Sequence, residues 1–239
     1  MRSILAFDAS GDCCSVTLKL ASGFIHTLQS SEPRSHAAKL LPFTQTLLDQ
    51  ANCNLADIDV IACSAGPGSF TGLRIALSVA QGLAYASNKS IILINSLAAM
   101  VQSVDFTLQP TLCLPLMDAR IDEVYWGAYS CDGRPLDSSV PALMGNKENF
   151  LAQLKMLLTQ HSSVVALGQA WQTVPFAQAA LTQLNIELIN TAEPHSLAVA
   201  QLAEVFAVTD GCLIDPQKAD LFYCRDSVAW NKRQRIRAL

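Results

Sequence analysis

Residues 66–84 read Gly-Pro-Gly-Ser-Phe-Thr-Gly-Leu-Arg-Ile-Ala-Leu-Ser-Val-Ala-Gln-Gly-Leu-Ala and follow directly on the apolar run Ile58–Ser64. A short apolar run reads as a buried strand, and the residues after the glycines repeat with helical period. A strand, a glycine-rich turn and a helix N-terminus in succession restrict the chain to layered α/β folds. The same arrangement forms an anion site, because unpaired backbone N–H groups and the positive end of the helix dipole converge on it. Ser69 and Thr71 are candidate helix caps. With Gly66, Gly68, Asp8 and Ser10 they are also the candidate nucleotide contacts. A tight turn without ligand explains the spacing equally well.

The loop is neither common nucleotide motif. A Walker A loop ends in Gly-Lys-Ser/Thr, whereas Gly72 is followed by Leu73-Arg74. A dinucleotide fingerprint needs a glycine three residues after Gly68, and that position is Thr71. Hydrophobic residues make up 51% of the 239 and charged ones 15%, enough to build a sizeable core and to exclude disorder. That length suits one large domain or two of about 100–120 residues. No apolar run approaches the ~18 residues of a membrane span. The N-terminal run Ile4–Phe7 meets Asp8 too soon for a signal-peptide core, which predicts a cytoplasmic protein.

Eight cysteines form no C-x-x-C pair and no zinc-finger spacing, and are expected to be reduced and structural. The adjacent Cys13-Cys14 would point to opposite faces of a strand, which argues against a redox pair. Net charge is −4, but Lys232, Arg233, Arg235 and Arg237 lie within the last eight positions, leaving −8 on the other 231 residues. That acidic body does not suit broad contact with phosphate backbones.

Strands are predicted at Ile4–Asp8, Cys14–Leu20, Phe24–Leu28, Ile58–Ser64 and Ser90–Asn95. Helices are predicted over about 35–51, with Pro42 able to kink it, and from Leu73 onward. Three antiparallel strands followed by helix–strand–helix–strand is the order of a ribonuclease H-like unit. A second half repeats it in outline: strands Leu112–Asp118, Glu123–Ser130 and Ser163–Leu167, a turn at Cys131–Arg134, and helices near 146–160, 173–184 and 195–209. Asp8 and Asp118 end matching strands, which places a cleft between the halves. They are either a carboxylate pair across it or two strand-closing aspartates. Arg74 is either a phosphate clamp or a partner contact.

Asp8, the segment Gly66–Arg74, Met117-Asp118-Ala119-Arg120 with Glu123-Val124-Tyr125-Trp126, and Tyr223-x-Arg225 together resemble the TsaB (YeaZ) family. The resemblance runs from Ile4 to about Trp230 and is weakest over 134–195. It implies an actin-like ATPase (ASKHA) fold of two tandem ribonuclease H-like domains. These would be 1–103 and 104–230, with helix 195–209 packing back on the first domain and a basic tail at 231–239. It further implies a non-catalytic subunit that requires no cofactor of its own, with ATP held, if anywhere, at a subunit interface. The implied partners are the catalytic threonylcarbamoyl transferase (TsaD), a P-loop ATPase (TsaE) and a second copy of the chain when alone. Transfer RNA would be contacted only indirectly, and no membrane is involved.

In the related catalytic subunit a His-x-x-x-His pair on the helix after strand 90–95 holds a metal; here those positions are Ser96 and Met100. The only histidines, His26, His36, His161 and His195, have no chelating spacing. His36, near a helix start with Leu40 one turn on, reads as a surface or capping residue. The helix after the glycine loop carries one apolar stripe, Leu73, Ala76, Leu77, Ala80 and Leu83-Ala84. It carries a second at Ile75, Val79 and Gly82, so it is apolar nearly all round. Leu73, Arg74, Ile75, Leu77, Ser78, Val79 and Gly82 are the candidate docking residues. The rival reading is an autonomous ASKHA-type ATPase or kinase; a metallopeptidase lacks its ligands.

Overall fold

Residues 4–8 and 60–66 are apolar on both sides of the strand, so both faces of the sheet they enter must be covered. β1 (Ile4–Asp8) pairs antiparallel with β2 (Cys14–Lys19), which pairs antiparallel with β3 (Ile25–Ser30). α1 (His36–Gln50) runs unbroken through Pro42. β4 (Val60–Gly66), α2 (Phe70–Ser87), β5 (Ser90–Asn95) and α3 (Ser96–Gln102) follow, with β4 parallel to both β1 and β5. The sheet order is β3-β2-β1-β4-β5.

The second half repeats this order. β6 (Leu112–Arg120), β7 (Glu123–Trp126) and β8 (Leu143–Asn146) are antiparallel neighbours. They are followed by α4 (Lys147–Gln160), β9 (Val164–Leu167), a short α5 (Ala170–Thr173), α6 (Pro175–Leu184), β10 (Glu187–Ile189) and α7 (Ser196–Phe206). This sheet runs β10-β9-β6-β7-β8, with β9 parallel to β6 and to β10. Two sheets with identical strand order, each opening on three antiparallel strands, make two tandem ribonuclease H-like units in the actin-like arrangement. The computed structural model describes residues 1–106, 109–120, 123–137, 142–208, 212–222 and 224. Tyr223, Arg225 and the basic tail lie outside the described residues.

Alternation along the strands builds five layers. Leu5, Phe7, Val16, Leu18, Ile61 and Cys63 face α1 and α2. Ile4, Ala6, Val60, Ala62, Ile92 and Ile94 face a central layer of α3 and α7, which also receives Cys113, Val165 and Leu167 of the second sheet. Leu112, Leu114, Leu116, Val124 and Trp126 pack with Phe150, Leu154 and Trp171 in the outer layer. α7, from the second unit, therefore lies on the first unit's sheet.

Two expectations need correction, and two short strands go beyond them. The helix begins at Phe70, because Ser69 accepts from the Gly72 N–H at 3.3 Å and so caps it a turn earlier than the apolar stripe suggests. The strand expected over 123–130 stops at Trp126. Cys113 and Tyr129 exchange two backbone hydrogen bonds (2.8 and 3.0 Å) in the same register as Leu116 and Trp126. The next bonded pair in that register joins residues 115 and 127, and Pro115 has no N–H to give. The ladder breaks there. β8 and β10 carry no sequence signal of their own: β8 is four residues without apolar alternation, with Gly145 buried and Asn146 exposed, and β10 is three residues behind the left-handed Asn185.

Candidate functional site

Asp8 closes β1 and Ser64 lies near the C-terminal end of β4, so the parallel register of the two strands brings them together. The Asp8 Oδ1 accepts hydrogen bonds from the Ser10 hydroxyl at 2.9 Å and from the Ser64 hydroxyl. The group is buried, and burial pushes its carboxyl above the ordinary range against the pull of those two bonds.

The glycine loop lies directly on the residues after Asp8. Ser69 donates its N–H to Ser10 O at 2.7 Å. A Cβ on Gly68 would stand 2.3 Å from Ser10 O, and one on Gly72 would stand 2.1 Å from Ala9 O. Glycine is therefore required here for backbone-on-backbone contact, and Gly68 also holds a φ of +152°. One N–H and one hydroxyl of the glycine loop, both of Ser69, are already spent inside the chain.

Above the loop a cleft of about 720 Å³ opens between the units. Ser10, Gly68, Ser69, Thr71 and Arg74 line it from the first unit, and Asp118, Arg120 and Tyr125 from the second. Asp8 and Gly66 do not reach its wall: Asp8 is turned into the Ser10–Ser64 pair, and the Cβ side of Gly66 is closed by Phe222 O at 2.9 Å. The two aspartates do not form a pair across open space. Asp118 Oδ1 instead accepts the Arg120 N–H at 2.7 Å, closing a turn in which Arg120 holds φ +66°. The Arg74 guanidinium lies 3.3 Å over the Phe70 ring and donates to Phe70 O at 3.0 Å. At the rim, desolvation and then the Glu193 and Asp12 charges push the Cys13 thiol up, away from its thiolate form.

On α3, Ser96 and Met100 are both buried one turn apart, and Met100 lines the cleft floor. Among the described residues no group of three His, Cys, Asp or Glu side chains stands close enough to hold a metal ion. No described helix is long and apolar enough to cross a membrane.

The docking candidates separate on α2. Leu73 and Leu77 are buried in their own domain core and are removed from the set. Arg74, Ile75 and Val79 are half-buried, and Ser78 and Gly82 are exposed on the outer side. Large apolar side chains flank them, with Phe70 67%, Tyr85 68% and Leu41 of α1 50% exposed. Sequence reasoning missed Asn95, whose Oδ1 caps α3 through the Leu97 N–H at 2.8 Å and accepts the Tyr129 hydroxyl at 3.1 Å. An asparagine just before an apolar helix was the available signal. It also missed His195 as the cap of α7 and Gln81 as an anchor, and neither has a local signature.

The family model for TsaD, tRNA N6-adenosine threonylcarbamoyltransferase, matches residues 29–232. The tRNA threonylcarbamoyladenosine biosynthesis protein TsaB of Escherichia coli is 31% identical over 96% of this chain and 97% of its own. Its Haemophilus influenzae counterpart is 27% identical over 96% of each chain. The solved structure of YeaZ from Pseudomonas aeruginosa is similar at 30% identity, covering 93% of this chain and 100% of that one, with a TM-score of 0.73. The chain belongs to the TsaB (YeaZ) family of tRNA threonylcarbamoyladenosine biosynthesis proteins and shares a family model with the threonylcarbamoyltransferase itself.

Proposed function

We propose that the chain is the non-catalytic subunit of the threonylcarbamoyladenosine machinery. It docks the catalytic threonylcarbamoyltransferase on the outer face of α2 and activates it toward adenosine 37 of transfer RNA. A P-loop ATPase completes the assembly, and in the partner's absence a second copy takes the same face. One observation carries the reading: α2 covers its sheet with Leu73, Ala76, Leu77 and Ala80 yet leaves Phe70 and Tyr85 exposed and Ile75 and Val79 only half-buried. Small residues at Ser78 and Gly82 allow close helix–helix approach there. Ser96 and Met100, in place of an imidazole pair, favour a partner as the source of the chemistry.

An ATPase reading draws on the cleft volume and on Thr71 and Arg74 at its wall. The internal bonds of Ser69 and the withdrawal of Asp8 weigh against it. Purified chain, transferase and their mixture are assayed for ATP turnover and tRNA modification. The scaffold reading expects negligible turnover by the chain alone, strong activation in the mixture, and loss of complex formation in Val79→Asp with an unchanged melting curve. Turnover by the isolated chain that disappears in Thr71→Ala establishes the ATPase instead.

A further inference from the structure

The C-terminal segment 212–222 returns from the second unit and is fastened to three consecutive parts of the glycine-loop unit. Ile214 exchanges backbone hydrogen bonds with Ile91 (2.9 and 2.8 Å), extending the sheet at the open edge of β5. The Gln81 side-chain amide of α2 donates to both Pro216 O and Ala219 O, each at 2.9 Å. Phe222 donates its N–H to Ala65 O at 2.8 Å, and Leu221 is buried in the core beneath α2. The segment thus runs antiparallel to α2 as a strap, from the C-terminal end of the helix to its glycine loop.

Helical spacing puts Phe70, Arg74, Gln81 and Tyr85 on one flank of α2, between the buried stripe and the outer face. The strap follows that flank and leaves two large apolar side chains unburied along it, Leu213 at 42% and Phe222 at 38% exposure. Phe222 and Phe70 both line the cleft, and Leu213 precedes the Ile214 bridge to the sheet edge at the other end of α2. Of the eleven large apolar residues exposed among those described, five, Leu41, Phe70, Tyr85, Leu213 and Phe222, belong to α1, α2 or the strap. Exposed apolar area concentrated in one place marks an interaction surface.

We propose that the strap is part of the docking platform. Leu213 and Phe222 contact the same transferase partner that seats on α2, and Gln81 is the positioning residue that holds them in line with it. The inference rests on the scaffold reading, and its argument is continuity: Phe222 extends the apolar band of Phe70 across the helix flank to the strap.

The test measures affinity for the purified transferase subunit by calorimetry, with full-length variants of unchanged melting temperature. Leu213→Asp and Phe222→Asp are expected to weaken binding about tenfold or more, and Gln81→Leu to weaken it by less while speeding amide exchange across 212–222. Met156→Asp, a more exposed apolar position on α4 of the second unit, is expected to bind as wild type. If both strap variants bind within about twofold of wild type while Val79→Asp abolishes binding, the strap inference fails and the docking helix stands. If Val79→Asp binds normally, the docking-helix reading itself is overturned. If Gln81→Leu frees the strap without loss of affinity, holding the strap in line does not support docking and that part of the inference fails.

Discussion

Asp8 has a short polar side chain in a place where apolar ones would pack, and its environment sets its protonation. Its folded pKa is raised, so the folded state binds its proton more tightly than the unfolded chain. The stability it contributes is present below about pH 3.8 and is lost as pH rises through the folded value. Asp8→Asn keeps an oxygen to accept from Ser10 and Ser64 without a charge. Thermal melts should show the asparagine variant more stable than wild type at pH 7 by about 1 kcal/mol, a shift of roughly 2–4 °C for a chain of this size. Its stability should also be flatter between pH 4 and 7. Asp8→Ala leaves two buried hydroxyls without their acceptor and should be less stable than wild type at pH 7. At Gly72 the constraint is purely steric. A methyl group 2.1 Å from Ala9 O forces two backbones apart, so Gly72→Ala should cost about 2–3 kcal/mol in denaturant unfolding. That requirement explains the glycines of the loop without any ligand.

At the scale of elements, α7 shows why a helix can be foreseen while its anchorage cannot. His195 Nδ1 accepts the Leu197 N–H at 3.2 Å, and its Nε2 meets Gln29 Oε1 of β3 at 2.8 Å. Burial lowers its pKa from 6.5, against the opposing pull of Asp8 and Glu193. The cap therefore contributes stability that is present above about pH 6.5 and is lost as pH falls through the lowered value, where protonation removes the Nδ1 acceptor. His195→Asn retains a capping oxygen and should abolish this acid-side loss. His195→Ala should cost about 1 kcal/mol at pH 7.5, read from chemical denaturation at each pH. The period of α1, α2 and α4 was legible because each lays an apolar stripe on a sheet, and that of α7 because its apolar residues recur at helical spacing between the two sheets. The shortened β7 was not, because the ladder fails at Pro115 on a different strand.

At the scale of the whole molecule, β2 carries the main lesson. Cys14, Val16 and Leu18 alternate with Ser15, Thr17 and Lys19, a pattern that predicts a strand with one wet face. Both faces are buried. The Ser15 hydroxyl accepts the Ser196 N–H at 3.0 Å, Thr17 and Ser196 share a hydroxyl bond at 2.7 Å, and Lys19 pairs with Glu204. A row of three polar side chains on the first unit is thus satisfied by the helix of the second. Residues 1–103 expressed alone should fail to give a cooperative unfolding transition, because that row and the apolar face of Ile4, Ala6 and Ile94 lose their cover. A sharp transition in the fragment would show that the units are independent. Replacing Lys19 and Glu204 together with leucine and methionine should be far less damaging than replacing Glu204 alone, which strands a buried ammonium.

The sequence by itself determined the strand and helix periods, the glycine loop, the twofold repeat of one unit and the family. Each of these depends on neighbours within a few residues, or on a motif read in order. Only the tertiary structure decided which stripe of α2 is spent on its own core, that Asp8 is turned away from the cleft, that α7 crosses to the first sheet and that residues 212–222 fasten to α2. The physical reason is the same in each case. Burial and hydrogen-bond satisfaction are completed by partners 56 to 185 positions away, as with Ser64 for Asp8 and Glu204 for Lys19, and no local pattern encodes them.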